Sequence, residues 1–290
     1  MLLSAVVALL SAGCFAVTSV LQHRAAREVP DTGAGAGLVL RLLHRPLFLL
    51  AVCAQVAGLA LQTLALGLGA LVVVQPLLVC GLLLAIPLST VADGRPVTRR
   101  ELVGAALVAA GLAAFLLGAS PGTGRRSVPV AHAAVPSAAL AAVAVVAALA
   151  ARRRGPGRAA PLAFAAGCLY GISAAALDLV AHGLVDAPVS LLRSWPVPAL
   201  VVSGAGGLVL TQAAYQSGSL AQPLAMLTVI EPLAACLMGA LVLDESLASG
   251  VAARLAQTLG ALVAAAGVVL LSTTPAAATR VHVEHAAGGA

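Results

Sequence analysis

The chain has 290 residues, of which 61% are hydrophobic and 9% charged, with a formal net charge of +6 and a mean hydropathy of +1.07. Soluble domains run at roughly 45–50% apolar and about 25% charged, so this composition excludes one. All sixteen basic residues are Arg, and in so apolar a chain they are read as loop charges that orient it rather than as a nucleic-acid surface. The apolar runs are continuous, without the alternation and aromatic girdles of a membrane barrel. The fold class expected is an all-α polytopic membrane protein.

Runs long enough to cross a hydrocarbon core of about 30 Å predict nine helices in chain order: 2–21, 46–66, 69–91, 102–119, 131–151, 161–181, 196–215, 219–243 and 255–271. Turn-forming and charged stretches separate them: "DTGAGAG", "ADGRPVTRRE", "SPGTGRRSVP" and "ARRRGPGR". No basic residue precedes the first apolar run, so it is read as a retained helix and not as a signal or lipoprotein leader ending before Cys14. The five cysteines all lie within apolar runs, without metal-ligand spacing. "HVEH" near the C-terminus is too short and isolated to carry a metal reading.

Twelve arginines (24, 27, 41, 45, 95, 99, 100, 152, 153, 154, 158 and 280) fall on one side of this topology and four (125, 126, 193 and 254) on the other. The positive-inside rule then predicts a multi-pass plasma-membrane protein with its N-terminus outside and its C-terminus cytoplasmic. The lone Trp195 falls at the outer interface.

Self-similarity organises the chain further. "SAGCFAVTSV" (11–20) matches "AAGCLYGISA" (165–174), and "RPLFLLAVCAQVAGLALQT" from Arg45 matches "WPVPALVVSGAGGLVLTQA" from Trp195, pairing Pro46 with Pro196 and Gln62 with Gln212. "QPLLVCGLLLAI" (75–86) matches "EPLAACLMGALV" (231–242), and "GAALVAAGLAAFLLG" (104–118) matches "GALVAAAGVVLLS" (260–272). The offsets, 150 to 156, are nearly constant. Five crossings separate equivalent helices, so the two four-helix units are expected to be inverted, joined by a connecting helix. The organisation is 1–119 first repeat, 120–158 connecting helix and loops, 159–275 second repeat, and 276–290 a disordered cytoplasmic tail.

The costliest residue is Glu231, at the centre of the eighth helix. A carboxylate there costs about 2.5–3.5 kcal/mol on insertion scales and marks a functional site by default; its structural alternative is a protonated packing contact. Pro232 follows it, and proline frees a carbonyl one turn earlier and kinks the helix. Gln75 and Pro76 are their repeat mates. The candidate substrate-binding set is Glu231, Gln75, Gln62, Gln212 and Asp178, with Pro76 and Pro232 as helix kinks. The pairs Gly104/Gly111 and Gly260/Gly267 are read as close-packing faces. No phosphate-binding loop, nucleophile elbow or paired-carboxylate set is present, so neither an enzyme nor a cofactor is expected.

With its inverted four-helix halves and the segment "GSLAQPLAMLTVIEPLAACLMGALVLDESL", the chain resembles the drug/metabolite transporter superfamily, EamA-like, over residues 1 to about 275. Glu245 in "LVLDESL" fits the acidic end of that family's repeat, whereas "STVADGRPV" in the first half departs from it with Asp93-Gly94. Nine helices and "SVLQHRAA" are also similar to the NIPA-type magnesium transporters. The resemblance implies a secondary carrier of a small molecule or ion; alternatives are a divalent-cation carrier and a non-transporting membrane scaffold. The partners expected are the solute and the lipid bilayer, with a homodimer left open and no nucleic acid.

Overall fold

The computed structural model describes residues 2–30, 35–68, 74, 77–120, 124–125, 127–151, 156–186, 194–217 and 219–273. Within them the chain is helical: α1 Leu2–Arg27, α2 Ala36–Leu42, α3 Pro46–Leu68, α4 Gly81–Ala92, α5 Arg99–Ala119, α6 Val130–Ala150, α7 Ala159–Asp186, α8 Pro196–Tyr215, α9 Ala221–Val242 and α10 Val251–Ser272. Eight of these are long and apolar enough to span a bilayer, and Leu77–Ala92, which contains α4, is a shorter apolar helix. No strand occurs among the described residues. The protein is a multi-pass membrane protein.

Eight of the nine expected helices fall where the apolar runs placed them. The ninth, expected at 69–91, is described from Leu77 onward; Gln75 and Pro76 lie outside the described residues. Two helices run further than the apolar pattern suggests. α1 continues six residues past Leu21, through Gln22 and His23, and α7 continues to Asp186. The short α2 was not anticipated: Leu38 and Leu42 are buried with Phe48, Leu162, Ala213 and Ala214, so α2 folds back onto the end of α8.

Local chemistry accounts for several helix starts. Pro46 and Pro196 open α3 and α8, where a missing N–H costs nothing. Thr98 and Glu101 form a reciprocal capping box at the start of α5. Glu101 is 1% exposed and its charge is met by Arg95 at 2.7 Å.

Two kinds of packing hold the bundle. Between α1 and α3 the contact is stitched by hydroxyls at seven-residue spacing. Ser4 donates to the Ala65 carbonyl (3.2 Å), Ser11 to that of Gly58 (2.8 Å) and Thr18 to that of Ala51 (3.3 Å). As α1 is ascended its partners descend α3, so the two are antiparallel, with the seven-residue repeat of left-handed helix pairs. Elsewhere glycine does the work. Gly104 faces Gly267 and Leu271, Gly111 faces Gly260 and Ala264, and Gly118 faces Ala253 and Ala256, making α5 and α10 an antiparallel pair. A methyl on Gly111 would stand 2.6 Å from the Gly260 carbonyl oxygen, and one on Gly267 2.7 Å from that of Gly104. Small residues at these points let the backbones meet, which is how membrane helices gain dispersion energy without a hydrophobic drive. The glycines expected to be packing faces are therefore packed against each other.

The ends of the bundle differ. At one, Arg24 reaches the Ala92 carbonyl (3.4 Å) and Arg27 lies 3.8 Å from Asp93, while Ala25, Val29, Leu42, Ala151, Leu162 and Ala213 share one apolar cluster. This is the arginine-rich face. At the other, the Arg125 amide donates to the Leu243 carbonyl (2.7 Å), the Ala248 amide to that of Ala119 (2.9 Å), and the Trp195 indole to that of Val128 (2.9 Å).

Candidate functional site

Glu231 lies half-way along α9. Seven residues to either side on the same helical stripe are Leu224, 8% exposed, and Met238, 1% exposed, so this stripe faces the protein interior. Glu231 is nevertheless exposed. The lipid-facing leucines of α9, Leu237 and Leu241, lie about 80–120° round the helix from it at 100° per residue. Intramembrane carboxylates almost always face the bundle interior or a water-filled cavity. The helix is continuous through Pro232, whose missing N–H leaves the Thr228 carbonyl without its intrahelical donor.

The backbone at Glu231 is held by α7. Gly167 and Gly171, four residues apart, place α7 directly on α9: a methyl on Gly167 would stand 2.8 Å from Ile230 Cβ and 3.2 Å from the Glu231 amide nitrogen. Tyr170, next to Gly171, lays its ring on Gly207 of α8 beside Thr211, within electrostatic reach of Glu231. Tyr215 of α8 is also within that reach and stands beside Ser19 of α1. Its ring meets His23 edge-on, with centroids 6.1 Å apart. Both tyrosines of the chain thus converge on its central carboxylate. Gln212, fully buried, donates to the Gln22 side-chain oxygen at 3.1 Å and ties α8 to α1.

Of the residues expected at the site, Glu231 and Gln212 belong to this group of helices. Gln62 does not join them. It is half-buried on α3 between Gly58 and Ala65, which pair with Ser11 and Ser4 of α1. Gln212 meets the far end of α1, so the two glutamines lie at opposite ends of that helix. Asp178 belongs to the face opposite the arginines: its carboxylate is 3.3 Å from His182 Nδ1 and neighbours Glu245. Burial and the Asp178 charge push the Glu245 carboxyl above its ordinary value. Among the described residues no three His, Cys, Asp or Glu side chains come together as a metal-ion group.

Tyr170, Gln22 and His23 were not singled out from the sequence. Gln22 and His23 stand just past Leu21, where a hydropathy reading ends the helix. Tyr170 occupies the second-half copy of the repeat at a position where the first half has Ala16, a difference that could have drawn attention to it.

The chain is 31% identical over 255 residues to an uncharacterized protein of Corynebacterium glutamicum, a match that covers 84% of this chain and 86% of that protein. The chain belongs to that protein's family. No family model and no solved structure matches it.

Proposed function

We propose that the protein is a secondary transporter of the drug/metabolite type, moving a small solute or ion across the plasma membrane by alternating access. The observation that carries this reading is Glu231, exposed on an interior stripe of α9 and within electrostatic reach of both Tyr170 and Tyr215. An intramembrane carboxylate on an interior stripe is expensive and has the properties of a solute or ion site.

The contacts support two inverted halves. Within the first, α1 packs on α3 and α4, and α4 on α5; within the second, α7 packs on α8 and α9, and α9 on α10. Under the repeat offsets these are the same pairings. The antiparallel α5–α10 pair joins equivalent helices of the two halves, as opposite insertion requires. Transporters built this way hold the site near mid-membrane and rock their halves about it. In this reading the arginine-rich face is cytoplasmic, the N-terminus is outside, and Glu231 exchanges a proton as the solute moves.

The test is transport by the purified protein in liposomes, with solutes chosen by comparing metabolites of cells with and without the gene. Accumulation of a solute by wild type and its loss in Glu231→Gln support the carrier. Equal accumulation by both variants across pH 5–8 removes Glu231 from the mechanism, and no gene-dependent solute at all favours a scaffold.

A further inference from the structure

We propose that the seam between α1 and α8 is a water-filled path leading from the arginine-rich face to Glu231. Two side-chain oxygens at the C-terminal end of α8, Gln212 Oε1 and Gln216 Oε1 of the residue that caps it, are buried without a hydrogen-bond partner, and Thr211 Oγ1 beside them has only the Tyr170 hydroxyl within reach. Thr211 is 4% exposed and Gln212 fully buried. The amide nitrogens are already committed. Gln212 Nε2 donates to Gln22 Oε1, and Gln216 Nε2 to the carbonyls of Ala26 (3.2 Å) and Val29 (3.1 Å). Turning the Gln216 amide over would set its oxygen against two carbonyls, so Oε1 faces the other way and needs a donor. Buried polar groups in native proteins are almost always paired, with ordered water where protein cannot serve. Water supplies two donors per molecule and fits a seam that holds several isolated acceptors.

The path has a mouth. A cavity of about 440 Å³ opens at the arginine-rich face, lined by Ala26, Arg27, Glu28, Val29, Pro30 and Gln216, with room for on the order of ten waters at about 30 Å³ each. Gln216 is shared by the cavity and the seam. From it to Thr211 the helix rises about 7.5 Å, the reach of two or three hydrogen-bonded waters. Tyr170 stands beside Thr211, and both tyrosines lie within electrostatic reach of Glu231. At the opposite face the loops are cross-bonded through Arg125–Leu243, Ala248–Ala119 and Trp195–Val128. The path therefore has one open end.

Only its role as an access route rests on the transporter reading; the presence of water does not. X-ray radiolysis of the wild-type protein in membranes oxidises aromatic rings that touch bound water. Tyr215 and Phe48 are equally buried, at 2% exposure each, and Tyr215 is expected to be oxidised several times faster than Phe48 if ordered water sits in its seam. Protection of Tyr215 to the level of Phe48 overturns the proposal. A second test replaces the five native cysteines with alanine and adds Thr211→Cys, Gln216→Cys or Ser203→Cys singly. A membrane-impermeant thiol reagent, applied from the side that labels Arg100→Cys, is expected to reach positions 216 and 211 but not 203. Labelling of 211 only from the other side, or from neither, also overturns it. If both positions label and no solute is ever carried, the path stands and the transporter reading falls.

Discussion

The two halves of this membrane domain solve the same packing problem with different chemistry. In the first, α1 is fastened to α3 by Ser4, Ser11 and Thr18, each donating to a backbone carbonyl. In the second, α7 is set against α9 by Gly167 and Gly171, with no hydroxyl between the backbones. The hydroxyl seam leaves no carboxylate in the middle of α1 or α3. The glycine seam brings a helix so close to Glu231 that Tyr170 can reach across to α8. Under the repeat offsets, Tyr170 and Tyr215 correspond to Ala16 and Ala65, both buried methyl groups. One half is built as a support, and the other carries the polar chemistry.

The largest effect that would sharpen this contrast is on transport. Glu231→Gln, which copies the residue of the first half, is expected to insert and fold but to reduce gradient-driven solute uptake to background in proteoliposomes. Moving the carboxylate across with Gln75→Glu in the same chain is expected not to restore it, because the first half offers alanine where the second offers tyrosine. Recovery of uptake in the double variant would break the comparison, since the halves would then be interchangeable.

Gly171→Ala comes next. Its methyl would stand 2.7 Å from the Ala234 carbonyl carbon and 2.9 Å from the Ala235 nitrogen. These are backbone atoms that move only with the helix, so a loss of about 1–3 kcal/mol is expected from overpacking. Gly13 in α1 has nothing within 4 Å of the same methyl, and Gly13→Ala is expected to leave stability unchanged or slightly raised. Thermal unfolding of both variants in detergent measures the difference. Equal losses at the two positions would mean that the glycines of the second half are not its seam.

Those glycines also mark how far the sequence could be read. Apolar runs locate helices because a bilayer demands about twenty apolar residues and little else. The Gly104/Gly111 and Gly260/Gly267 pairs stood out because a residue without a side chain is conspicuous in an Ala- and Leu-rich helix. Glu231 stood out because it is costly. What stayed hidden is rotation: a helix apolar on all sides gives no periodic signal of which face meets protein. The facing of Thr211, Tyr215 and Gln216 toward α1 therefore emerges only from packing. Asp178 shows the same limit. Its depth was legible, but its placement beside His182 and Glu245, at the face opposite the arginines, depends on how α7 meets the loop after α9.

That loop gives a pH prediction for the second half. The folded protein holds the Glu245 carboxyl above its ordinary value, through burial and the Asp178 charge. A carboxyl raised on folding binds its proton more tightly in the folded state. Its stabilising contribution is present below the unfolded value and is lost as pH rises through the folded one. Unfolding temperature in detergent is expected to fall as pH rises above about 4.3, and Glu245→Gln is expected to flatten that fall. An unchanged slope would show that Glu245 is not coupled to folding.

The smallest effect tests the support half. Ser11→Ala removes a 2.8 Å bond to the Gly58 carbonyl and leaves a small, well-packed side chain in its place. Such bonds between membrane helices average about 0.6 kcal/mol, because the separated helices find other partners in the bilayer. The Gly58 carbonyl keeps its own helical donor, so no orphan is created. A loss of about 0.6 kcal/mol is expected for Ser11→Ala, and roughly three times that for Ser4, Ser11 and Thr18 together if the sites are independent. They are seven residues apart on α1, about 10.5 Å at 1.5 Å per residue, which is beyond the range of direct coupling. A single-site loss as large as that of Gly171→Ala would reverse the comparison: the hydroxyl seam would then be as unforgiving as the glycine seam, and the first half no looser a support than the second.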